Sequence, residues 1–481
     1  RHLEEIYTGQ KQEEVYELLA HHYSLSDDHA KALEYLIKSG DKARLAYANP
    51  EAIAFYRQAD ELAAQLQRPE AAVIIAEGLG DVLFHVGESD EALACYERAM
   101  TCCREAKQQA DLYRRMAIVY QNLGEYEKAL AACEQGLSLV TAEGEKSVEV
   151  ARLLITRSRI YEQQGQSEAA LVDSEASLVI LEHTSHYREI AQAHNVLGLS
   201  YRSRQPDKAI AHLEQSLSIF ERIGNEYEAA RIYNNLAILH YQTDLSRSAD
   251  YFSRALKTLQ RFGDIWGEAA AYMNLGIVQY ARGDYAQAID YYEHSLQMTE
   301  RLGDKPGIAD CHVNLGEAYR AQGDFVHAIA HLEMSLVVAQ EIGASETEIE
   351  CYRQLAECYL EVGEFERALQ SCREALLHIK ATGDRKAEGS IYRVMGNIYL
   401  RVNDLTSARI HFEQSIAILR ELNQDFDLGA AIYDYALVLK AAGRTGEARA
   451  AFTEALALFE RLELSQEQER ARVALSELLV M

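Results

Sequence analysis

Two histidines, His327 and His331, are the side chains best spaced for chemistry, because they stand four residues apart. On a helix, residues i and i+4 lie on one face, one turn apart, as ligands of a metal ion often do. No third ligand accompanies them, so ordinary helix residues are the favoured interpretation and a metal site is the alternative. The motifs G-x-x-x-x-G-K-[ST], G-x-S-x-G and H-E-x-x-H are all missing from the sequence. We therefore expect a protein that is not an enzyme and that holds neither a cofactor nor a metal.

The elements that carry these histidines belong to a pattern that recurs about every 40 residues. It joins an aliphatic-small pair, an aromatic residue, a glycine and an alanine, as in Leu315, Gly316, Tyr319, Gly323 and Ala328. A fixed period indicates a stack of similar small units rather than one globular core. Apolar residues at helical spacing predict two antiparallel helices in this unit, one over about residues 309–321 and one over about residues 325–342.

The two glycines of the pattern have different causes. Gly323 falls where the first helix must end in left-handed backbone, which Gly or Asn adopts at little cost. The other small residue falls in mid-helix, where Gly costs about 1 kcal/mol relative to Ala. We infer that the partner helix approaches closely there. The residues at this position are all small: Gly80, Ala117, Ser158, Gly198, Ala237, Gly276, Gly316, Ala356, Gly396 and Ala436.

This pattern resembles the tetratricopeptide repeat (TPR), whose first helix carries Leu-Gly-x-x-Tyr and whose second carries small residues. The resemblance covers about residues 70–465 as roughly ten units. The period exceeds the family's usual 34 residues, which is similar to the long-helix subclass found in kinesin light chains and bacterial signalling proteins. The resemblance implies an all-α fold, an α-solenoid in which antiparallel helix pairs form a right-handed superhelix.

The two ends depart from the repeat. Residues 1–69 read as degenerate helical repeats, and within them the segment 16–43 resembles the junction that follows the ATPase module of STAND-type bacterial signalling proteins. Residues 466–481 read as a helix that caps the last apolar face. Because the sequence opens with Arg1 rather than Met, we expect a piece of a longer protein whose upstream module is absent.

The family resemblance also implies where a ligand would lie. In TPR proteins the first helix of each unit lines the concave groove, and positions two before, two after and five after the signature leucine face it. For the fourth to seventh units, with Val313 and Glu317 completing the seventh, the candidate binding residues are Asn195, Leu199, Arg202, Asn234, Asn235, Ile238, Tyr241, Met273, Asn274, Ile277, Tyr280, Asn314 and Arg320. Several are apolar where solvent is expected, so they form either a contact stripe or part of the packed stack.

Two polar sets in this region have alternative interpretations. Asparagines recur one position before the leucine at Asn235, Asn274 and Asn314, followed by Gln354. In similar proteins such a ladder bonds the backbone of an extended peptide; the alternative is a tie between adjacent first helices. Four arginines at neighbouring groove positions either hold a carboxylate or form a solvated face: Arg152, Arg159, Arg202 and Arg231.

The composition limits the classes of partner and the location that we expect. The formal net charge of −27 at pH 7 disfavours nucleic acid and anionic membranes as partners. It favours either a basic partner or simple solubility of a long helical stack. The 8 cysteines show no C-x-x-C pair, which suits a reducing, cytoplasmic location. No run of about 18 apolar residues is present, so we expect no membrane-spanning helix.

The sequence therefore predicts a non-catalytic scaffold for protein–protein interaction. The resemblances imply the sensor or regulatory arm of a larger bacterial signalling protein, which binds a peptide or partner helix in its concave groove. The alternative is the regulatory part of an enzyme, such as an ATPase, a nucleotide cyclase or a protease, whose catalytic domain lies outside this chain. The ligand, the oligomeric state and the face used for binding stay open.

Overall fold

A computed structural model describes residues 13–46, 48–141 and 147–480 of the chain. Over these residues the regular structure is helical throughout, as the sequence predicts for an all-α fold. The helices are α1 (Tyr16–Ser24), α2 (His29–Leu45), α3 (Asn49–Gln65), α4 (Pro69–His85), α5 (Ser89–Cys102), α6 (Ala106–Asn122), α7 (Tyr126–Thr141), α8 (Val148–Gln163), α9 (Ser167–Leu181), α10 (Tyr187–Tyr201), α11 (Pro206–Arg222), α12 (Glu226–His240), α13 (Leu245–Phe262), α14 (Ile265–Ala281), α15 (Tyr285–Leu302), α16 (Lys305–Gln322), α17 (Phe325–Ile342), α18 (Ser345–Glu361), α19 (Phe365–Thr382), α20 (Arg385–Arg401), α21 (Leu405–Glu421), α22 (Asp425–Ala441), α23 (Thr445–Arg461) and α24 (Ser465–Val480).

The chain forms two compact units, an amino-terminal unit over Arg1–Leu239 and a carboxy-terminal unit over His240–Met481. In the amino-terminal unit α2 packs on α3, α4 on α5, α6 on α7, α8 on α9 and α10 on α11, and each pair also contacts the next. In the carboxy-terminal unit the same arrangement runs from α14 and α15 to α22 and α23. We call the even-numbered helices α4 to α22 the A helices and the odd-numbered helices α5 to α23 the B helices.

The predicted unit around Gly316 tests the expected helix bounds. The second helix, α17, covers Phe325–Ile342 as the sequence predicts. The first helix, α16, begins four residues earlier than expected because Pro306 stands in its first turn, where a missing backbone N–H costs nothing. Gly323 ends α16 with a φ of 82°, and Asn403 occupies the equivalent turn with a φ of 61°. Both turn residues thus adopt the left-handed backbone that the pattern predicts.

In the A helices that carry glycine at the small mid-helix position, this glycine lies directly against a large side chain of the B helix. A Cβ built at Gly80 would come within 2.5 Å of the Tyr96 ring, and one at Gly316 within 2.6 Å of Leu332 Cγ. Where the A helix carries Ser158 instead, its B-helix neighbour is Ser174, whose hydroxyl lies 2.5 Å away in a hydrogen bond. The two positions therefore compensate each other in volume, and this sets the close approach of the paired helices.

Both ends of the chain continue the packing. Gly40 on α2 faces the ring of Tyr56 on α3 at 2.8 Å from a built Cβ, as Gly80 faces Tyr96. Residues 1–12 and Met481 lie outside the described part, so the expected degenerate repeats and cap are visible there only in part. At the carboxy terminus α24 packs on α23 and buries Ala471, Ala474 and Leu478.

One helix of the described part, α17, is long and apolar enough to cross a membrane, with a mean hydropathy of 1.2 over 18 residues. In the structure it is a B helix between α16 and α18. It buries one face there, formed by Ala328, Leu332, Ser335 and Ala339.

Two histidine pairs join A and B helices in the same manner. His194 and His212 place their Nδ1 atoms 3.0 Å apart, and so do His312 and His331. A tyrosine ring stacks on each pair, Tyr201 in the amino-terminal unit and Tyr319 in the carboxy-terminal unit. Burial, with the neighbouring histidine, lowers the pKa of His194 and of His331 to about 4.

We expect Gly316→Ala to destabilise the carboxy-terminal unit, and Gly316→Leu to destabilise it further, by roughly 1–3 kcal/mol. The added Cβ would overlap Leu332, which is fully buried and has no room to move. Gly446→Ala is the matched control, because a Cβ at Gly446 meets no atom within 4 Å. Urea unfolding followed by circular dichroism measures both. Equal midpoints for the Gly316→Ala and Gly446→Ala variants would contradict the close approach.

We also expect the histidine pairs to make stability depend on pH. The pKa values of His194 and His331 are about 4 in the folded protein and about 6.5 when unfolded. The unfolded chain therefore binds more protons between these values, so stability falls as pH drops from about 6.5 to about 4. His331→Phe keeps a ring against Tyr319 and should flatten this fall in thermal melts. The control is His183→Asn, at a side chain that is 90% exposed, and it should leave the pH dependence of the melting temperature unchanged. If His331→Phe shows the same pH dependence as the wild type, the expectation is wrong.

Candidate functional site: the A-helix walls

The side of the A helices that contacts neighbouring A helices, rather than B helices, carries the candidate binding residues. In the amino-terminal unit α6 contacts α8 and α8 contacts α10; in the carboxy-terminal unit α16, α18, α20 and α22 contact one another in order. We call these two surfaces the amino-terminal wall and the carboxy-terminal wall. Each wall is described within its own unit.

In the amino-terminal wall the structure joins two predicted residues directly. The Asn235 side-chain amide on α12 donates to Oδ1 of Asn195 on α10, at 2.9 Å. Both side chains are half-buried, as is Asn234. At this pair the asparagine therefore ties one A helix to the next, which was the alternative to a peptide-binding role.

The remaining predicted residues of the amino-terminal wall differ in exposure. Leu199 is half-buried, whereas Arg202 is exposed just beyond the end of α10. Ile238, on α12, is 40% exposed. Ile238 is thus the predicted apolar residue of this wall that packing leaves most available.

In the carboxy-terminal wall the apolar stripe is partly absorbed by the core. Met273, Ile277 and Tyr280 on α14 are half-buried and pack on the cluster that contains Tyr292 and Leu315. Tyr241 is half-buried in the turn after α12, and Asn274 is half-buried on α14. Packing within the stack therefore explains, in large part, why Met273, Ile277 and Tyr280 are apolar or aromatic residues.

The predicted asparagine ladder is not one continuous row in this unit. The Asn314 amide donates to the Asp310 backbone carbonyl at 2.9 Å and lies 3.2 Å from Met273 Sδ. The Gln354 amide donates to Glu350 at 2.7 Å, while its carbonyl Oε1 is buried with no hydrogen-bond partner among the described residues. Asn314 and Gln354 therefore bond to different partners and not to each other.

A charged network that the sequence analysis missed connects successive A helices of the carboxy-terminal wall. The Tyr280 hydroxyl on α14 donates to Glu317 on α16 at 3.2 Å. Arg320 on α16 lies 3.4 Å from Glu357 on α18, and Arg353 donates to the same carboxylate at 2.7 Å. The signal was present, because the positional rule applied one unit further selects Arg353 and Glu357 around the leucine of α18.

Burial and neighbouring charges set the protonation states of three groups in and beside this network, namely Arg353, Glu350 and Tyr280. Burial works against the charge of Arg353, but the carboxylates of Glu350 and Glu357 outweigh it and raise its pKa. Burial likewise opposes ionisation of Glu350, but Arg353 lowers the pKa of that carboxyl. Burial and the Glu317 carboxylate raise the pKa of Tyr280 to about 12, so its hydroxyl stays a donor at neutral pH. Arg353 and Glu350 thus present fixed charges, and Tyr280 presents a fixed donor, at neutral pH.

The four predicted arginines of the amino-terminal unit separate into different environments. Arg152 donates twice to Glu189 on the next A helix, at 2.7 and 2.8 Å, and is thereby neutralised. Arg202 is exposed. Burial lowers the pKa of Arg159 to about 10, and the nearby Arg231 guanidinium adds to the effect. The structure therefore brings Arg159 and Arg231 together and removes Arg152 from the set.

The first candidate for chemistry, the pair His327 and His331, does not act as one site. His327 Nδ1 lies 2.7 Å from Asp324 Oδ2 at the start of α17. His331 instead faces His312 on α16, as described above. Within residues 13–46, 48–141 and 147–480, no group of three or more His, Cys, Asp or Glu side chains is arranged to hold a metal ion.

Comparisons with known proteins agree with this repeat architecture. One family model described as "Tetratricopeptide repeat" matches residues 108–181, 189–261 and 267–341, and a second of the same description matches residues 75–98. A model described as "MalT-like TPR region" matches residues 307–479. No curated protein matches the chain.

Several solved structures share the fold at low sequence identity. The apo form of RapI aligns with a TM-score of 0.60 and 13% identity, over 76% of this chain and 98% of that one. The apo quorum sensor NprR from B. thuringiensis aligns with a TM-score of 0.57 and 12% identity, over 74% and 100%. Aspartyl phosphate phosphatase F from Bacillus subtilis aligns with a TM-score of 0.50 and 13% identity, over 74% and 95%. At these identities the likeness shows the fold alone.

The matched repeats, taken together, cover most of the chain from residue 75 to residue 479. They coincide with the paired helices, the left-handed turn residues and the small-to-large contacts seen in the structure. The chain therefore belongs to the tetratricopeptide repeat family, and its residues 307–479 match a MalT-like TPR region.

Proposed function

We propose that the chain is a non-catalytic scaffold that binds a peptide or a partner helix along its A-helix walls. The observation that carries this proposal is the row of half-buried polar side chains on successive A helices. Tyr280, Glu317, Arg320, Arg353 and Glu357 are held by one another, so they are ordered before any partner arrives. An ordered polar surface loses less side-chain entropy on binding than a set of free side chains does.

Two buried atoms of the same wall support a polar ligand. The Nε of Arg320 and the Oε1 of Gln354 have no hydrogen-bond partner among the described residues. A buried polar atom without a partner costs roughly 1–3 kcal/mol. A peptide backbone offers one donor and one acceptor per residue, which is the chemistry that these two atoms lack.

The wider role that we propose is the regulatory arm of a larger signalling protein. The match of residues 307–479 to a MalT-like TPR region supports this assignment. Binding would act by favouring one arrangement of the arm over another, which requires a difference in affinity between the two. The buried free thiols, among them Cys311, Cys351 and Cys372, support a reducing, cytoplasmic location.

The alternative is that the chain is the regulatory part of an enzyme. It predicts the same wall, but a different domain encoded next to it in the gene. Sequencing the coding region upstream of Arg1 separates the two proposals. An ATPase motif joined to a DNA-binding or receiver module would support the signalling arm, and a cyclase or protease module would support the alternative. The fold neighbours do not decide this point, because a quorum sensor and a phosphatase occur among them.

We expect a photo-crosslinking residue in place of Ile238 to capture a protein or peptide partner in cells. Ile238 is 40% exposed on an A helix; Met334, 42% exposed on the B helix α17, is the matched control. Adducts should be identified by mass spectrometry and should form at position 238 well above the level at position 334. Equal adducts at both positions, or adducts at 334 alone, would contradict binding along the A helices.

For a partner that binds the carboxy-terminal wall, Tyr280→Phe should weaken binding with little loss of stability. The variant keeps the ring packed near Tyr285, at 5.3 Å between centroids, and removes the hydroxyl that donates to Glu317. A lost hydrogen bond of this kind changes stability by about 1 kcal/mol. Titration calorimetry and a thermal melt measure the two effects separately. Unchanged affinity, or a stability loss that matches the affinity loss, would argue that Tyr280 serves only packing.

A further inference from the structure

Three arginines of the amino-terminal wall lie near one carboxylate, in a chain whose net charge is −27. Arg159 on α8 has neither a hydrogen bond nor an ion pair with the described residues. Arg188 on α10 and Arg231 on α12 share one carboxylate, that of Glu228, with shortest nitrogen–oxygen distances of 3.7 and 3.5 Å. Three guanidinium groups therefore face a single carboxylate in this part of the wall.

The neighbouring acids are already committed to other arginines. Asp111 accepts from Arg114 and from Arg115, both at 2.8 Å. Asp81 forms a close ion pair with Arg115 and accepts a hydrogen bond from Tyr96 at 2.9 Å. Glu189 accepts both hydrogen bonds from Arg152. None of these carboxylates is left to neutralise Arg159.

The environment of Arg159 makes its charge costly in the free protein. Burial is the main cause of its lowered pKa; Arg231 and Arg114 add repulsion, and Glu228 offsets only part of it. At neutral pH the guanidinium nevertheless stays protonated, because its pKa is about 10. Arg159 is half-buried, and a partly desolvated cation among like charges destabilises the fold unless an anion joins it.

A cleft of about 470 Å³ lies beside this cluster within the amino-terminal unit, and Arg188 is the residue of the cluster that lines it. Four arginines line it, namely Arg44, Arg114, Arg115 and Arg188, together with the aromatic rings of Phe84, His85 and Tyr96. Cavities of this volume hold ligands of peptide-fragment size. The cleft therefore provides room beside the arginine cluster for more than a single ion.

We propose that the amino-terminal wall binds an acidic peptide segment, whose side-chain carboxylates are held by Arg159 with Arg188 and Arg231. A planar guanidinium matches a carboxylate in two parallel hydrogen bonds, which gives both strength and direction. The inference rests on the proposed function and specifies the chemistry of the partner. An acidic partner is the opposite of the basic partner that the overall negative charge allows, because three arginines with one carboxylate leave this part of the wall locally positive.

The decisive variant is Arg159→Gln, and its matched control is Arg157→Gln on the same helix. Arg157 makes two hydrogen bonds to Asp173 on α9, at 2.7 and 2.8 Å, away from the cluster. In the free protein Arg159→Gln should raise the melting temperature, because it removes a half-buried charge that has no ion pair with the described residues. Arg157→Gln should lower it, because it strands a buried carboxylate. A purely structural role for Arg159 predicts a lower melting temperature instead.

Binding is measured by fluorescence polarisation with labelled hexaglutamate, with hexaglutamine and inorganic phosphate at matched ionic strength as comparisons. We expect hexaglutamate to bind the wild-type chain and the Arg157→Gln variant equally, and the Arg159→Gln variant roughly tenfold to a hundredfold more weakly, as for the loss of a charged hydrogen bond. Hexaglutamine should not bind. Equal binding of hexaglutamate to both variants, no binding to the wild type, or a response to phosphate alone would overturn the proposal.

These outcomes are separable from failure of the scaffold proposal. Crosslinking at Ile238 reports whether any partner occupies the wall, without regard to charge. A captured partner with no effect of Arg159→Gln on its binding would leave the scaffold intact and remove the acidic-ligand inference. Hexaglutamate binding without any captured partner would uphold the inference and contradict the scaffold.

Discussion

The close approach of each A helix to its B helix is the contact on which the rest of the structure depends. It is achieved by pairing a residue without a bulky side chain against a large one, as in Gly80 with Tyr96 and Gly316 with Leu332. Each hairpin is thereby held at a fixed distance, and the next hairpin packs on the surface that results. Because a repeat contacts only its neighbours, an error in one pairing displaces everything that stacks on it.

This constraint also leaves one side of each A helix available for contacts with neighbouring A helices and with a partner. The face toward the B helix is filled by the core, so polar side chains collect on the opposite walls. There they bond across successive A helices, as Asn235 does to Asn195 and Tyr280 to Glu317. A wall built in this way is held by the same packing that stabilises the repeats, and is ready for a partner without local folding.

The two walls differ in charge although their helices follow one pattern. In the carboxy-terminal wall Arg320 and Arg353 share Glu357, and Arg353 also bonds Glu350, so cations and anions balance. In the amino-terminal wall the acids are engaged elsewhere and Arg159 has none. A net charge of −27 therefore says little about a particular surface. The partner that each wall suits depends on which side chains its own neighbours have already neutralised.

The sequence by itself determined the repeat, the helix pairs, the left-handed turn at Gly323 and the crowded position at Gly316. These features follow from steric demands within about 40 residues, and each repeat states them again. Only the tertiary structure decided that Arg152 meets Glu189, that Asn235 meets Asn195, and that Met273 is half-buried. Such contacts join residues about one repeat apart. They depend on the offset between successive hairpins and on competition among several polar side chains, which spacing along the chain does not specify.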